Sequence, residues 1–270
     1  MRLHVLGTAA GGGVPQWNCA CPGCAGARAV PSRRRLHASV AVETEPGRVY
    51  LVNATPDIAE QIERCPWLHP EGRRTRLSGV ILTDAELDHT LGLARLREAD
   101  ELEVMATDAV RDAVHKGLGL GEVLAPYTRL RWRDFDGVAL EPLSGKRPRY
   151  ARDACDGDWV SALRVGGLLY APSTGVWTDG FGEDADLVLV DGTFWDDEEP
   201  RTAGFSTKSA TGMGHLPVLA TRDRLAALSA RCLYTHLNNT NPLVDPDSPL
   251  HEELADRGLG VAAEGAVLTW

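Results

Sequence analysis

The chain has 270 residues, 43% of them hydrophobic and 24% charged, which is typical of a globular protein with a large buried core. Its formal net charge of −10 argues against binding of nucleic-acid backbones, because phosphate contacts need clustered Lys and Arg. No apolar run approaches the length of a membrane-spanning helix, and the N-terminus lacks the apolar core of a signal peptide. We therefore expect a cytoplasmic protein with reduced thiols and with neither nucleic-acid nor membrane partners.

Strand-like runs recur along the chain, in the order LHVLG, ASVAVET, RVYLVNA, SGVILT, LEVMAT, GLLYAP, ADLVLVDG and RCLYTHL. Helices are predicted at PDIAEQIER, DAVRDAVHK, PVLATRDRLAALSA and SPLHEELADRG, where capping residues such as Thr107 and stop signals such as Gly117 flank the pattern. Residues 129–160 show the least clear pattern, and the run SGKRPRYARDACDGDW within them is predicted to be loop. We expect one domain, residues 1–270, in which mixed sheets are covered by helices.

Three of the six cysteines lie in the stretch TAAGGGVPQWNCACPGC, residues 8–24. Cys19, Cys21 and Cys24 follow a glycine run that suits a turn with close backbone approach. A Cys-x-Cys spacing suits a disulfide poorly, whereas three thiolates favour tetrahedral Zn²⁺ in a closed structural role. We therefore predict a structural zinc loop over about residues 8–30. The remaining cysteines lack metal-binding spacing and are predicted to be packing residues: Cys65, Cys155 and Cys232.

The segment SGVILTDAELDHTLG, residues 78–92, is the most informative part of the chain. A buried strand runs directly into a polar cluster of Asp84, Glu86, Asp88 and His89. Functional groups are typical of positions just past the carboxyl end of such a strand. The alternative is an exposed acidic loop that caps a helix at TLGLARLRE. Spacing alone does not decide between the two.

The loop TDAELDHTLG resembles the T-H-x-H-x-D-H-x-x-G motif of the metallo-β-lactamase superfamily, with Asp84 and Glu86 in place of the early histidines. That substitution is typical of the coenzyme PQQ biosynthesis protein B family. Further blocks resemble this family in the same order: LGTAAGGGVPQWNCACPGCAGAR, VNATPDI, YAP, LVDGTFW, MGHLP and THLNNTNPLVDPDSP. The resemblance implies a metallo-β-lactamase-like fold, an αββα sandwich of two facing mixed sheets beneath outer helices. The chain is shorter than we expect for the family, in its middle and after GHLP.

The resemblance also implies the ligands of an active-site metal. In hydrolytic relatives one site uses both early histidines, a third histidine and a bridging Asp, and here Ser173 stands where the Asp is expected. The other site corresponds to Asp88, His89 and His236. Two histidines and one carboxylate with open positions suit non-haem Fe(II) with O₂ as co-substrate, and with a water they suit catalytic Zn²⁺. Loss of the first site disfavours two-metal hydrolysis, so we expect Fe(II).

Other polar residues are candidates for roles around these metals. His215, in MGHLP, is expected to orient substrate, donate a proton or bind metal, unless it only caps a helix. Asp191, after LVLV, either anchors a histidine ligand or caps a turn. Asp84 is either an outer hydrogen-bond acceptor or a fourth ligand. In a related phosphodiesterase family a histidine completes the cysteine site, and its position is Asn239 here, so water, Asn239 or another histidine is the fourth zinc partner.

The resembled family is linked to iron-dependent hydroxylation of tyrosine in a peptide precursor of PQQ. We therefore expect an Fe(II)- and O₂-dependent hydroxylase whose partner is an aromatic peptide or a small-molecule biosynthetic intermediate. Tryptophans, including the one in PQWN, are candidates for aromatic walls of the site. Two alternatives stay open: a single-zinc hydrolase, and a non-catalytic carrier of PQQ or of an intermediate. The sequence also leaves a homodimer open.

Overall fold

A computed structural model describes residues 1–154 and 156–270, so the prediction for Cys155 lies outside the described residues. The strands are β1 (Arg2–Gly7), β2 (Ser39–Glu45), β3 (Arg48–Val52), β4 (Leu77–Ile81), β5 (Glu101–Met105), β6 (Arg129–Trp132), β7 (Ala139–Leu143), β8 (Val160–Val165), β9 (Leu168–Ala171), β10 (Leu187–Asp191), β11 (Arg231–Thr235), β12 (Leu259–Val261) and β13 (Val267–Thr269).

The α-helices are short: α1 (Pro22–Ala29), α2 (Ile58–Glu63), α3 (Leu87–Thr90), α4 (Asp108–Asp112), α5 (Leu120–Leu124), α6 (Glu199–Thr202), α7 (Val218–Ala226) and α8 (Leu250–Ala255). A π-helical turn, Ala113–Gly117, extends α4. Turns of 3₁₀-helix occur at Pro31–Arg33, Pro66–Leu68, Leu91–Leu96, Arg149–Ala151, Thr211–Met213 and Pro242–Val244. Within the described ranges, no helix has the length and apolar character needed to cross a membrane.

The strands form two mixed sheets. The first has the order β13-β1-β2-β3-β4-β5-β6, in which β3 to β6 run parallel and the other pairs are antiparallel. The second has the order β12-β11-β10-β9-β8-β7, in which β9 to β12 run parallel. Each sheet therefore has a block of parallel strands whose carboxyl ends lie together.

Apolar contacts form three layers, as an αββα sandwich requires. The inner layer joins the two sheets and includes Ile81 of the first and Leu189 of the second. The outer layers pack the first sheet against α2, α4 and α5, and the second against α1, α7 and α8. The neighbours Leu51 and Val52 lie in different layers because successive strand side chains alternate between faces. The predicted αββα fold is confirmed.

All eight predicted strands are present, and the four predicted helices occur in shortened form. The described residues of SGKRPRYARDACDGDW contain no strand, as predicted, and only one turn of 3₁₀-helix, Arg149–Ala151. The rest of the stretch 129–160, for which no strand was predicted, contains β6, β7 and the start of β8. β6 and β7 are edge strands of four and five residues with several exposed positions, so neither has a clear apolar pattern. The sequence prediction also missed α1, which carries Cys24.

The site lies where the carboxyl ends of strands from both sheets meet. In the second sheet the register aligns Val190 with Ala171 and with Tyr234, so β9, β10 and β11 end at the same level. β4 of the first sheet leads to Asp84, whose backbone pairs with Val160 of the second sheet. Side chains that follow these strands therefore converge on one edge of the sandwich.

Candidate metal centre and active site

Asp88, His89 and His236 converge, although His236 is far from the other two in the sequence. Oδ2 of Asp88 lies 3.7 Å from Nε2 of His89 and 3.3 Å from Nε2 of His236. One potential ligand atom from each residue lies within 4.8 Å of the others. The two histidines of this cluster, which we call the triad, are 1% and 5% exposed, so both imidazoles are buried.

The outer nitrogen of each triad histidine is already bound. Nδ1 of His89 lies 2.7 Å from Oδ2 of Asp84, and Nδ1 of His236 lies 2.8 Å from Oγ1 of Thr193. Nε2 of each ring is then free to act as a ligand. Among the described residues, the buried Nε2 of His89 has no hydrogen-bond partner. An orphaned imidazole nitrogen facing a carboxylate and a second imidazole fits a divalent cation.

Charge interactions in the triad are strong because the groups are buried together. Burial alone would raise the pKa of Asp88, but His89 and His236 hold it well below its usual range. Burial would lower the pKa of His89, yet Asp84 and Asp88 raise it to about 9. Burial lowers the pKa of His236, and its hydrogen bond to Asp88 offsets this only in part. The carboxylates therefore create a negative site in which a cation would replace a proton on His89.

The backbone takes unusual conformations where it carries these ligands. His236 directly follows β11 and has φ of +59°, in the left-handed region that non-glycine residues seldom adopt. A Cβ added at Gly11 would lie 3.4 Å from Cγ of Asp88, so the glycine loop passes closely over this carboxylate. This agrees with the predicted close approach of that loop to the site.

Asp191 and His215 form a hydrogen-bond network behind the triad. Oδ2 of Asp191 lies 2.7 Å from Nδ1 of His215, and Oδ1 accepts a hydrogen bond of 2.6 Å from the Thr193 hydroxyl. Asp191, His215 and His236 also lie within 4.8 Å of one another. Nδ1 of both histidines is engaged with this network, however, so we interpret the group as a support rather than a second ligand set. The sequence analysis expects Asp191 to anchor a histidine ligand, and in the structure the histidine that Asp191 contacts is His215.

The alternative of an exposed acidic loop is wrong, because Asp84 and His89 are each only 1% exposed. Oδ1 of Asp84 accepts a hydrogen bond from the backbone N–H of Glu86, and Oδ2 faces His89. These contacts favour Asp84 as an outer acceptor over a fourth ligand. Glu86 lies 3.6 Å from Nζ of Lys146, and Ser173 lines the cavity beside the triad.

The sulfur atoms of Cys19, Cys21 and Cys24 lie within 4.8 Å of one another. Nδ2 of Asn239 donates to the first two at 3.2 and 3.3 Å, and the backbone N–H of Gln16 donates to the third at 3.2 Å. Burial raises the pKa of Cys24 to about 11, while for Cys21 hydrogen bonds overcome burial and lower the pKa. A cation would stabilise all three as thiolates. Asn239 lies at the fourth side of this thiol cluster, where the sequence comparison placed it.

One short segment connects the thiol cluster with the triad. His236 belongs to the triad, Asn238 lines the cavity, and Asn239 contacts the thiols. Nδ2 of Asn241 then donates a hydrogen bond of 2.7 Å to the carbonyl of Gly192 at the end of β10. The position of this segment therefore affects both clusters.

A cavity of about 200 Å³ opens on the triad. Its apolar wall comes from Phe194, Phe205 and Met213, and Phe194 packs edge-to-face on His215. Trp17 of PQWN is 88% exposed and does not belong to the cavity lining found among the described residues. The expectation that this tryptophan forms an aromatic wall is therefore wrong.

Sequence reasoning missed two side chains of the site. Thr193 connects Asp191 to both His215 and His236. The only indication of this residue in the sequence was its position in the block LVDGTFW. Lys146 lies 3.4 Å from Nε2 of His215, and it comes from a stretch in which the sequence showed no pattern.

Comparison with known proteins shows the family. Residues 48–236 match the model of the β-lactamase superfamily domain. The chain is 40% identical over 306 residues to coenzyme PQQ synthesis protein B of Azoarcus sp. (strain BH72), with all of both chains covered. It is also 40% identical over 297 residues to the protein of the same name from Cupriavidus necator, with 97% of each chain covered. The alignment to the Azoarcus protein is longer than this chain of 270 residues, which agrees with the expected shortness.

Two solved structures extend the comparison. Zn²⁺-bound PqqB from Methylobacterium extorquens is 32% identical, with a TM-score of 0.91 over the whole of both chains. A diphosphatase of the PhnP family is 18% identical, with a TM-score of 0.71, and covers 100% of this chain and 97% of its own; this likeness concerns the fold alone. The chain therefore belongs to the β-lactamase superfamily and, within it, to the coenzyme PQQ synthesis protein B family.

Proposed function

We propose that this protein is an Fe(II)-dependent hydroxylase of PQQ biosynthesis that acts on a tyrosine or related aromatic group of a peptide-derived precursor. The observation that carries the proposal is the triad, in which two imidazoles and one carboxylate converge beside a cavity with an apolar wall. A ligand set of this type is typical of non-haem Fe(II) enzymes that use O₂. The names of the full-length relatives support a role in PQQ synthesis.

The residues have separate tasks in this proposal. Asp88, His89 and His236 would hold Fe(II), which when bound supplies the electrons that activate O₂. Asp84 and Thr193 orient the two imidazoles through their Nδ1 atoms. Their effect would be to keep each Nε2 deprotonated and directed inward.

His215 is proposed as the acid–base residue of the site. Its Nδ1 is bound by Asp191, and its Nε2, 3.4 Å from Nζ of Lys146, would exchange a proton with the substrate in the cavity. The wall of Phe194, Phe205 and Met213 would pack against the aromatic ring and exclude water from it.

A single-zinc hydrolase is the second candidate, because the solved relative from Methylobacterium extorquens is Zn²⁺-bound. Zn²⁺ bound at the thiol cluster rather than at the triad would equally explain why that relative is Zn²⁺-bound. The third candidate is a carrier that binds an intermediate without chemistry, and Asp84 and Glu86 at the histidine positions of hydrolytic relatives are consistent with it.

Anaerobic reconstitution separates these candidates. The protein is loaded with Fe(II) or Zn²⁺ and given a tyrosine-containing peptide and ascorbate, and O₂ uptake and peptide mass are followed. We expect peptide-dependent O₂ uptake and a gain of one oxygen atom with Fe(II) alone, which His89→Ala abolishes and the control His69→Ala does not. Peptide cleavage with Zn²⁺ and no O₂ would support the hydrolase. Tight binding of PQQ without turnover, unchanged in His89→Ala, would support the carrier.

A further inference from the structure

Lys146 lies in the wall of the cavity that the triad faces. Its Nζ is 3.4 Å from Nε2 of His215 and 3.6 Å from Oε1 of Glu86. Both contacts are longer than a strong charge-assisted hydrogen bond, which is about 2.7–2.9 Å. The ammonium group carries three donors, so its present neighbours hold it only loosely. Among the described residues that line the cavity, it is the one Lys or Arg side chain.

Close packing at two glycines places Lys146 there. A Cβ added at Gly175 would lie 2.9 Å from the carbonyl oxygen of Ser144. A Cβ added at Gly214 would lie 3.1 Å from Cβ of Lys146 and 3.4 Å from its Cγ, and Gly214 has φ of +88°. A side chain at either glycine would therefore displace the segment that carries Lys146 or the stem of the lysine itself. An ordinary exposed ion pair contributes little stability and needs no such packing.

The charges around the cavity indicate what Lys146 binds. Asp84 is paired with His89, and Asp88 contacts both triad histidines. Glu86 stays beyond hydrogen-bond distance of Lys146, and both side chains are partly exposed. The cavity thus presents one loosely paired cation beside a metal position and an apolar wall.

We propose that Lys146 binds a carboxylate of the substrate and is a specificity-determining residue of this site. The substrate class is then an aromatic compound that carries an anionic group, with the ring on the wall of Phe194 and Phe205 and the anion on Lys146. Glu86, 3.6 Å from Lys146, is the counter-charge that the substrate carboxylate would replace. This inference rests on the proposed function, because it assumes an aromatic substrate in the same cavity.

Binding of matched probes tests the inference on the Fe(II)-loaded protein without O₂, measured by calorimetry. N-acetyl-L-tyrosine and N-acetyl-L-tyrosinamide differ only in the carboxylate. We expect the wild type to bind the acid about tenfold more tightly, as a charge-assisted hydrogen bond predicts. Lys146→Met should remove this preference with little change in binding of the amide. Lys146→Arg should retain most of it, and the exposed control Lys116→Met should retain all of it.

Equal binding of acid and amide by the wild type, or a preference that persists in Lys146→Met, would overturn the inference and leave the proposed function standing. N-acetyl-L-alanine, which has the carboxylate but no aromatic ring, tests the opposite case, in which the anion site is right and the aromatic substrate is wrong. If it binds as tightly as N-acetyl-L-tyrosine and depends on Lys146, the anion site stands and the aromatic substrate of the proposed function fails. Binding of none of these probes to the wild type would overturn the anion site.

Discussion

The thiol cluster and the triad each bring three ligand residues together, but they are built differently. The three cysteines come from six consecutive positions, whereas Asp88 and His236 are 148 positions apart. Backbone N–H groups and the Asn239 amide surround the sulfur atoms, while a carboxylate and a hydroxyl bind the outer nitrogens of the imidazoles. A cavity opens on the triad, while Asn239 covers the thiol cluster.

This difference indicates separate purposes. A cluster of cysteines from one loop, covered by Asn239, is suited to stabilising that loop, because metal binding there would add directly to folding. A cluster assembled from two sheets, with its imidazoles oriented by a buried carboxylate and a buried hydroxyl, is suited to reactivity. Four predictions test this contrast, in order of decreasing effect.

Removing a triad histidine should have the largest effect. We expect His89→Ala to weaken Fe(II) binding at the triad by more than about 100-fold, because one of its three ligands is lost. Zinc on the thiol cluster should be retained. Metal analysis after anaerobic reconstitution measures both, with His69→Ala as the control. Full iron content in His89→Ala would show that the triad is not the iron site.

Removing a thiol should act on stability instead. We expect Cys24→Ser to lose zinc and to lower the free energy of unfolding by about 3 kcal/mol or more. For a chain of this size the melting temperature would fall by about 6–12 °C. Calorimetry with metal analysis tests this, and Cys65→Ser, outside the cluster, is the matched control. An unchanged melting temperature after complete zinc loss would contradict the structural role.

Asp84 should act on the metal only through His89. We expect Asp84→Asn to weaken Fe(II) binding by about 10–100-fold, because the buried carboxylate that orients Nδ1 loses its charge. Glu86→Gln, two positions away, should change the affinity by less than about threefold. Fe(II) titrations of both variants give the comparison. Equal effects would mean that both acidic residues bind the metal.

The smallest effect is expected from Glu199, which contacts Thr240 in the segment that joins the two clusters. Its side chain accepts hydrogen bonds of 2.6 Å from the backbone N–H of Trp195 and the hydroxyl of Thr240. Burial raises its pKa to about 7 from the ordinary 4.5, so the folded state is favoured when this group is protonated. Stability should therefore be lost as pH rises from about 4.5 to about 7.

We expect Glu199→Gln to remove about 1–3 kcal/mol of this loss between pH 5 and pH 8, because Gln does not ionise. Its oxygen can accept from the N–H of Trp195 while its amide N–H donates to the hydroxyl of Thr240. Denaturant unfolding at the two pH values measures the difference. A wild type and a variant with the same pH dependence would show that Glu199 titrates normally.

Much of the fold was predictable because its signals are local. Strands buried at every position, such as β9 and β10, are apolar at nearly every position, and apolar runs predicted all eight strands correctly. The three cysteines are neighbours in the chain, so their cluster was visible in their spacing alone. The short edge strands β6 and β7 and the helix α1 lacked comparable patterns and were missed.

The sequence by itself determined which residue types carry the chemistry, since Asp88, His89 and the cysteines lie in recognisable motifs. Only the tertiary structure decided which atoms they present to one another. The inward direction of Nε2 in His236 depends on Thr193, which follows the neighbouring strand β10 and is 43 positions away in the sequence. Lys146 reached the cavity through packing against Gly175 and Gly214, contacts between distant segments that no local pattern encodes.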